Sequence, residues 1–442
     1  MAGAGVSTAG VTTALFCMPL NAAGLDQQVE AMVRPLANGL SNIVFYKVDL
    51  FGQDFPLIVL WLALAALFFT FYLGFINIRG FGLALRHVRG HFHNPAANGE
   101  ISHFQAVATA VSGTVGIGNI GGVAVAIAIG GPGAAFWLFI AGFLSMSTKL
   151  VECTLGVKYR RYNADGSVSG GPMYYLEHYL AVRGAPRWGK LLGGFYALSL
   201  VIGCLGIGNM FQSNQAYVQF VTISGAENSF FADKGWLFGL LLAVTVSMVI
   251  IGGIRSIARV AAHIVPFMGI LYVICALVII GMSAEHLPGA IALIFNSAFS
   301  ADSVTGGMVG AIIVGFQRAL FSNEAGIGSA SIAHSAVKTN EPASEGLVSL
   351  LEPFIDTVVI CTLSSLVIVT TAYPAGLMDS GLEGIALTSA AFVHHVGWAR
   401  YPLARAALVF ACSTSIGWSY YGLSGWTCVC GAGRVTQRLG DW

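Results

Sequence analysis

The stretch Gly113-Thr-Val-Gly-Ile-Gly-Asn-Ile-Gly-Gly122 decides how the rest of this chain is read. It sets Gly-Ile-Gly and a small polar residue in the middle of a hydrophobic segment, and Asn323-Glu-Ala-Gly-Ile-Gly-Ser-Ala-Ser331 repeats the device. The chain has 56 glycines, and most serve close packing between small helix faces. Clusters this dense do more. They are expected to unwind the helix locally, and irregular backbone in hydrocarbon is tolerated only where it lines a cavity or is buried in protein. The paired breaks therefore predict a substrate site within the membrane, with Gly116, Gly118, Asn119, Gly326 and Gly328 at its wall. A plain structural kink is the competing reading.

Composition fixes the solvent. Of 442 residues, 56% are hydrophobic and 9% charged, with a mean hydropathy of +0.76, whereas an ordinary soluble domain carries about 25% charged residues. A net charge of +1 gives no reason to expect nucleic acid. The partners expected are a lipid bilayer and a small solute, with oligomeric state left open. The eight cysteines lie mostly alone in apolar runs, as small buried hydrophobes do. The close pair Cys428-Val-Cys430 is too tightly spaced for a usual zinc half-site.

Hydrophobic runs predict an all-α integral membrane protein with spans near 56–77, 104–128, 133–156, 191–212, 236–252, 261–282, 306–337, 346–370 and 404–424, since a bilayer core takes roughly 20 apolar residues per helix. Most of the 21 Lys and Arg, including Arg79, Arg86, Arg89, Lys158, Arg160, Arg161, Arg255 and Lys338, fall in loops on one side. Only Arg34, Lys47, Lys234, Arg400 and Arg405 fall on the other. The positive-inside rule then puts the N-terminus outside and the C-terminus in the cytoplasm of a multi-pass cell-membrane (inner-membrane) protein. Val11 to Leu20 reads as the core of a signal peptide over 1–23, or as a short surface-lying segment. Residues 24–55 follow as a periplasmic segment, 56–424 as the transport domain and 425–442 as a cytoplasmic tail. The stretch 163–190 predicts an inside loop with a short amphipathic helix, and 284–305 a re-entrant or surface element.

With this orientation the first broken segment runs outward and the second inward, so the copies are inverted, a pattern of secondary transporters. Freed amides near Asn119 and Gly121 favour a carboxylate, and freed carbonyls favour a cation. Glycine walls and the lack of a Lys/Arg cluster at the midplane point to a small zwitterion and away from phosphates, nucleotides and dicarboxylates.

At these residues the chain resembles the alanine or glycine:cation symporter family, also called the sodium:alanine symporters. The likeness rests on Gly113-Thr-Val-Gly-Ile-Gly-Asn-Ile120, Gly130-Gly-Pro-Gly-Ala134, Thr148-Lys-Leu-Val-Glu152, Gly170-Gly-Pro-Met-Tyr174, Gly208-Asn-Met-Phe-Gln212, Phe321-Ser-Asn-Glu-Ala-Gly326, Phe354-Ile-Asp-Thr357 and Ile416-Gly-Trp-Ser-Tyr-Tyr-Gly422. It covers about residue 55 to Gly422. The resemblance implies a leucine-transporter-type fold of five plus five inverted spans with one added N-terminal span, and import of alanine or glycine with sodium, a proton being the second candidate ion. It implies no organic cofactor. It also implies a substrate site using the first break with Thr114, Gln212, the second break, and Trp418 as wall or gate. Sodium is expected between carbonyls near Val115 and Gly118 and the hydroxyls of Ser413 and Thr414, oxygen ligands suited to a hard ion. Ser and Thr in apolar helices also commonly bond their own backbone.

Two departures stand out. Ile117 occupies a place where family members often have Thr. Beyond Gly422 the likeness fades, which predicts that the last two spans of the second repeat are missing and leaves a non-transporting remnant, a binding or interaction membrane protein, as the alternative function. An intramembrane enzyme is disfavoured, for the spans hold no His-Glu-x-x-His, Gly-x-Ser-x-Gly or paired-aspartate motif.

A charge near the bilayer centre costs at least about 2.5–3.5 kcal/mol on insertion scales. Lys149 and Glu152, three apart on one helix face, read as a structural ion pair. Arg318 and Glu324 flank the second break as backbone support or ligand contact. Asp356 reads as a buried hydrogen-bonded acid or a second cation or proton site, so Glu324 and Asp356 are the coupling candidates. His103, His263 and His334 lie at span ends and read as interfacial.

Overall fold

A computed structural model describes residues 22–50, 53–92, 94, 96–163, 166–300, 307–382 and 384–431. The signal-peptide expectation for 1–23 falls almost wholly outside these residues. Contacts divide the chain into two units at Leu60. The first holds helix α1 (Ala22–Val44) and a hairpin, β1 (Lys47–Leu50) against β2 (Gln53–Pro56), with Lys47 opposite Pro56 and Leu50 opposite Gln53.

The second unit is almost wholly helical. Its elements are α2 (Leu57–Tyr72), which begins in the first unit, α3 (Phe81–Val88), α4 (His103–Thr114), α5 (Ile117–Gly130) and α6 (Gly133–Lys158). After the short pair β3 (Arg161–Tyr162) and β4 (Val168–Ser169) come α7 (Pro172–Val182), the long α8 (Pro186–Ile223), α9 (Gly235–Ile250), α10 (Gly253–Met282) and α11 (Leu287–Phe299). The rest are α12 (Gly307–Asn323), α13 (Ala330–Ser335), α14 (Pro342–Thr371), α15 (Gly384–His395) and α16 (Arg400–Cys430).

The burial pattern explains the arrangement. On α10, Ile257, Ala261, Met268, Tyr272, Ala276 and Ile279 are buried, while Phe267, Ile270, Ile274 and Leu277 on the opposite face are exposed. A helix apolar all round, with large hydrophobes left outside, is built for lipid. Helix α6 is central and packs against α12, α13 and α14. Its polar residues Ser145, Ser147, Thr148, Lys149 and Glu152 are all buried.

Among the described residues, α6, α8, α10 and α14 are long and apolar enough to cross a membrane, and the bent pair α4–α5 makes a fifth. Helices over the other expected spans are shorter, interrupted or more polar. Helices α2 and α9 have 16 residues each, or about 24 Å at 1.5 Å per residue, short of a bilayer core. The span expected at 306–337 is split by its glycines into α12 and the six-residue α13. Helix α16 has the length, 31 residues, but Ser413, Thr414, Ser415 and their neighbours dilute its apolarity. The loop expected at 163–190 does carry a short helix, α7. The stretch 284–305 carries α11, which buries Ala290, Ile294 and Ala298 and accepts the Trp137 indole N–H at the Ala298 carbonyl, 3.0 Å.

Candidate functional site

Helix α4 stops at Thr114, Val115 and Gly116 are extended, and α5 starts at Ile117 with its axis turned by 46°. A side chain at Gly116 would not fit: a Cβ there would stand 2.8 Å from Thr414 Oγ1 and 3.0 Å from Gln212 Oε1. The freed groups are held by side chains from three directions. The Gly116 amide donates to Asn119 Oδ1 (3.0 Å), the Ile117 amide to Gln212 Oε1 (3.1 Å), and Thr414 Oγ1 donates to the Val115 carbonyl (3.4 Å). An amide at a helix start can take a carboxylate, and a carbonyl at a helix end can take a cation; here the two lie side by side and buried.

Gln212 reaches the break because α8 carries a π-helical turn, Cys204–Met210, just before it. Such turns are frequent at functional sites because the extra residue re-aims the side chains that follow. Trp418, buried one turn beyond Thr414 on α16, lies over this turn: a Cβ on Gly208 would be 2.4 Å from the Trp418 Cβ. Its ring meets Tyr421 edge-on at 5.7 Å. The Trp418 indole nitrogen and the Ser413 hydroxyl are buried without a hydrogen-bond partner among the described residues. Thr114 turns its hydroxyl to its own helix, at Ala110 O, 3.3 Å.

The second break spans Glu324 to Ser329. Glu324, Gly326 and Gly328 all have positive φ, at 55°, 92° and 87°. For a non-glycine residue that conformation costs roughly 1–2 kcal/mol. The Glu324 carboxylate accepts from the Ser329 hydroxyl, and the Gly326 amide donates to the Glu152 carboxylate. Gly326 faces Leu62, and Gly328 faces Pro172 and the Tyr175 hydroxyl. The two glycine pairs therefore look onto different partners.

Asp356 joins the two segments. The Asn119 side-chain amide, from the first break, donates to Asp356 Oδ1 and to Ser322 Oγ (2.9 Å). Ser322 and Thr357 donate to Asp356 Oδ2, each at 2.7 Å, and Asn323 donates to Thr357 Oγ1 at 3.0 Å. Asn323 Oδ1 then accepts the Ala325 amide at the start of the second break, 3.0 Å. Asp356 lies in another π turn, Phe354–Cys361 of α14. Arg318 makes a further tie, donating Nε to the Gly122 carbonyl at 2.6 Å, with Gly122 giving its guanidinium room.

Residues 39–439 match the sequence model of the sodium:alanine symporter family. The chain is similar to the sodium/alanine symporter AgcS of Methanococcus maripaludis, 40% identical over 370 residues, 83% of this chain and 79% of that protein. It is also similar to a probable sodium/glutamine symporter of Bacillus subtilis, 37% identical over 385 residues, 87% of this chain and 76% of that one. The amino-acid carrier protein AlsT of the same organism is 37% identical over 359 residues, 80% and 72% of the two chains. The chain belongs to the sodium:alanine symporter family. As a family member it is a multi-pass membrane transporter and not an enzyme. The match begins before residue 55 and runs past Gly422, and α16 itself continues to Cys430.

Within this symporter-family chain the buried charges are arranged otherwise than their spacing implied. Lys149 pairs with Glu352 at 3.1 Å, both fully buried, while Glu152 holds the Gly326 amide. Three-residue spacing put Lys149 and Glu152 on one face, but α14 packs on that face and brings its own carboxylate. His103 and His334 are buried rather than interfacial: both Nδ1 atoms contact Glu345, His334 at 2.5 Å. Exposed His263 stays local, at the Arg259 carbonyl, 2.7 Å. Glu345 and Glu352 are not among the residues singled out from the sequence, which shows Ser322 and Asn323 only as members of the second motif, with no role of their own. Glu352 carried a usable signal, a carboxylate one turn before Asp356 within an apolar segment.

Proposed function

We propose that this transporter imports a small neutral amino acid, alanine or glycine, together with sodium, by alternating access of a leucine-transporter-type inverted repeat spanning about residues 56–424. The observation that carries the reading is the meeting of the Ile117 amide, Gln212, the Val115 carbonyl and Thr414 at one buried break. The substrate carboxylate takes the α5 amides now held by Gln212 and Asn119. Gly116 and Gly118 make this wall backbone rather than side chain, which suits a small substrate, and Trp418 closes one side, its indole N–H available as a donor.

Sodium is assigned to the Val115 and Gly118 carbonyls with the Ser413 and Thr414 hydroxyls, a hard-oxygen set. The unpartnered Ser413 hydroxyl supports this choice. Because cation and carboxylate share the backbone on either side of Gly116, each favours the other's binding, and that linkage is reciprocal. Asp356 and Glu324 are assigned to coupling, Asp356 because it links the two breaks, and Gly326 and Gly328 to the hinge between α12 and α13. The N-terminus is placed outside and the C-terminus in the cytoplasm.

The test is uptake of labelled alanine into proteoliposomes holding the purified chain. An inward sodium gradient should accelerate uptake at least tenfold over an equal potassium gradient. Sodium-independent uptake, or none by correctly inserted protein, overturns the reading.

A further inference from the structure

The start of α4 and the end of α13, arms of the two broken segments, are fastened together. Ile101 and Val337 form a parallel bridge, with the Glu100 amide on the Ala336 carbonyl (2.7 Å) and the Lys338 amide on the Ile101 carbonyl (2.8 Å). The Arg160 guanidinium grips the strand ends through the carbonyls of Ser335 (2.8 Å), Val337 (2.7 Å), Thr339 (2.6 Å) and Asn98 (3.0 Å). Just inward, the Glu345 carboxyl sits between His103 of α4 and His334 of α13, one oxygen to each ring. The other ring nitrogen of His334, Nε2, is 3.7 Å from Glu352, whose second oxygen faces Lys149.

Charge balance makes this more than a structural tie. Glu345, Glu352 and Glu152 are all buried, and Lys149 is the single buried lysine among them. Uncompensated buried charge costs several kcal/mol per ion, so such a group takes up protons rather than staying ionised. Other groups bear on it. His87 of α3 faces the His103 ring at 5.4 Å and is held below the usual histidine range by its burial, then by His103. Cys153 of α6, Asp356 of α14 and Tyr421 of α16 lie within electrostatic reach of Glu352, and Glu324 within that of Lys149. Of all these, His334 alone contacts two carboxylates, and it stands on α13, next to the second break.

We propose that His334, with Glu345 and Glu352, is a proton-binding site, separate from the sodium and substrate site, whose proton latches α13 to α4 and whose loss lets this end open. Protonated, the ring donates from Nδ1 to Glu345 and turns a positive Nε2–H to Glu352. Deprotonated, the ring keeps one N–H and turns a lone pair toward the other carboxylate, so one attractive contact becomes repulsive and the hold on α13 weakens. The meaning of the latch rests on the transport reading above, but its presence does not.

The test is hydrogen–deuterium exchange of the full chain in lipid nanodiscs, without sodium or amino acid, followed in peptides covering 99–102 and 335–339 between pH 6 and 9 and corrected for intrinsic exchange. Protection should fall at least tenfold toward high pH in the unmodified protein. H334Q should exchange fast at every pH, and H103Q should keep a pH-dependent profile. If H334Q does not fold, E345Q replaces it and should move the profile to lower pH, since the negative charge favouring the proton is gone. A flat profile in the unmodified protein, or an unshifted one in the variants, overturns the proposal. Because no transport is measured, failure here is distinguishable from failure of alanine uptake.

Discussion

Asn119 donates its side-chain amide to Asp356, and this bond ties the first broken segment to α14, which in turn holds Ser322 at the edge of the second. The two breaks thus report to one carboxylate, although their glycines face different neighbours.

Asp356→Asn removes the charge that Asn119, Ser322 and Thr357 all hydrogen-bond, and bonds to charged groups are worth about 1.5–3 kcal/mol each. Uptake in proteoliposomes should become at least tenfold less sensitive to sodium or shift in its pH dependence. Unchanged coupling would reduce Asp356 to a structural acid.

Gly116→Ala places a methyl 2.8 Å from Thr414 Oγ1 and 3.0 Å from Gln212 Oε1. Alanine binding by equilibrium dialysis should weaken more than tenfold, and the thermal transition in detergent should drop by the few degrees that overpacking brings. A Gly82→Ala control, where the added Cβ meets nothing within 4 Å, should behave like the unmodified protein.

Thr414→Val keeps the shape and deletes the hydroxyl that meets the Val115 carbonyl. The sodium concentration for half-maximal uptake should rise about tenfold, equivalent to about 1.4 kcal/mol, with a smaller change in alanine affinity at saturating sodium. Equal loss of both would mean that Thr414 supports the backbone rather than the ion.

Lys149→Met strands a buried Glu352, and breaking a buried pair costs about 3–5 kcal/mol. Thermal unfolding should drop sharply for the single variant and recover by more than half in Lys149→Met/Glu352→Met. No recovery would show that Lys149 acts chiefly with Glu152 after all.

The breaks themselves were legible in the chain because glycine acts locally: the dense clusters around Gly116 and Gly328 weaken the helix and admit backbone conformations that other residues resist. Membrane residence was legible for a similar reason, since composition fixes the solvent a segment prefers. Pairing between distant residues was not. Spacing along α6 joined Lys149 to Glu152, but only the packing of α14 on α6 supplies Glu352 and frees Glu152 for the Gly326 amide. His103 and His334, at the edges of apolar runs, looked interfacial until Glu345 came between them, from another helix. Sequence determined where this chain leaves the helix and what surrounds it. Tertiary structure decided which buried charge answers which, because Coulomb and hydrogen-bond energies depend on separation in space, and that is set by helices packing across hundreds of residues.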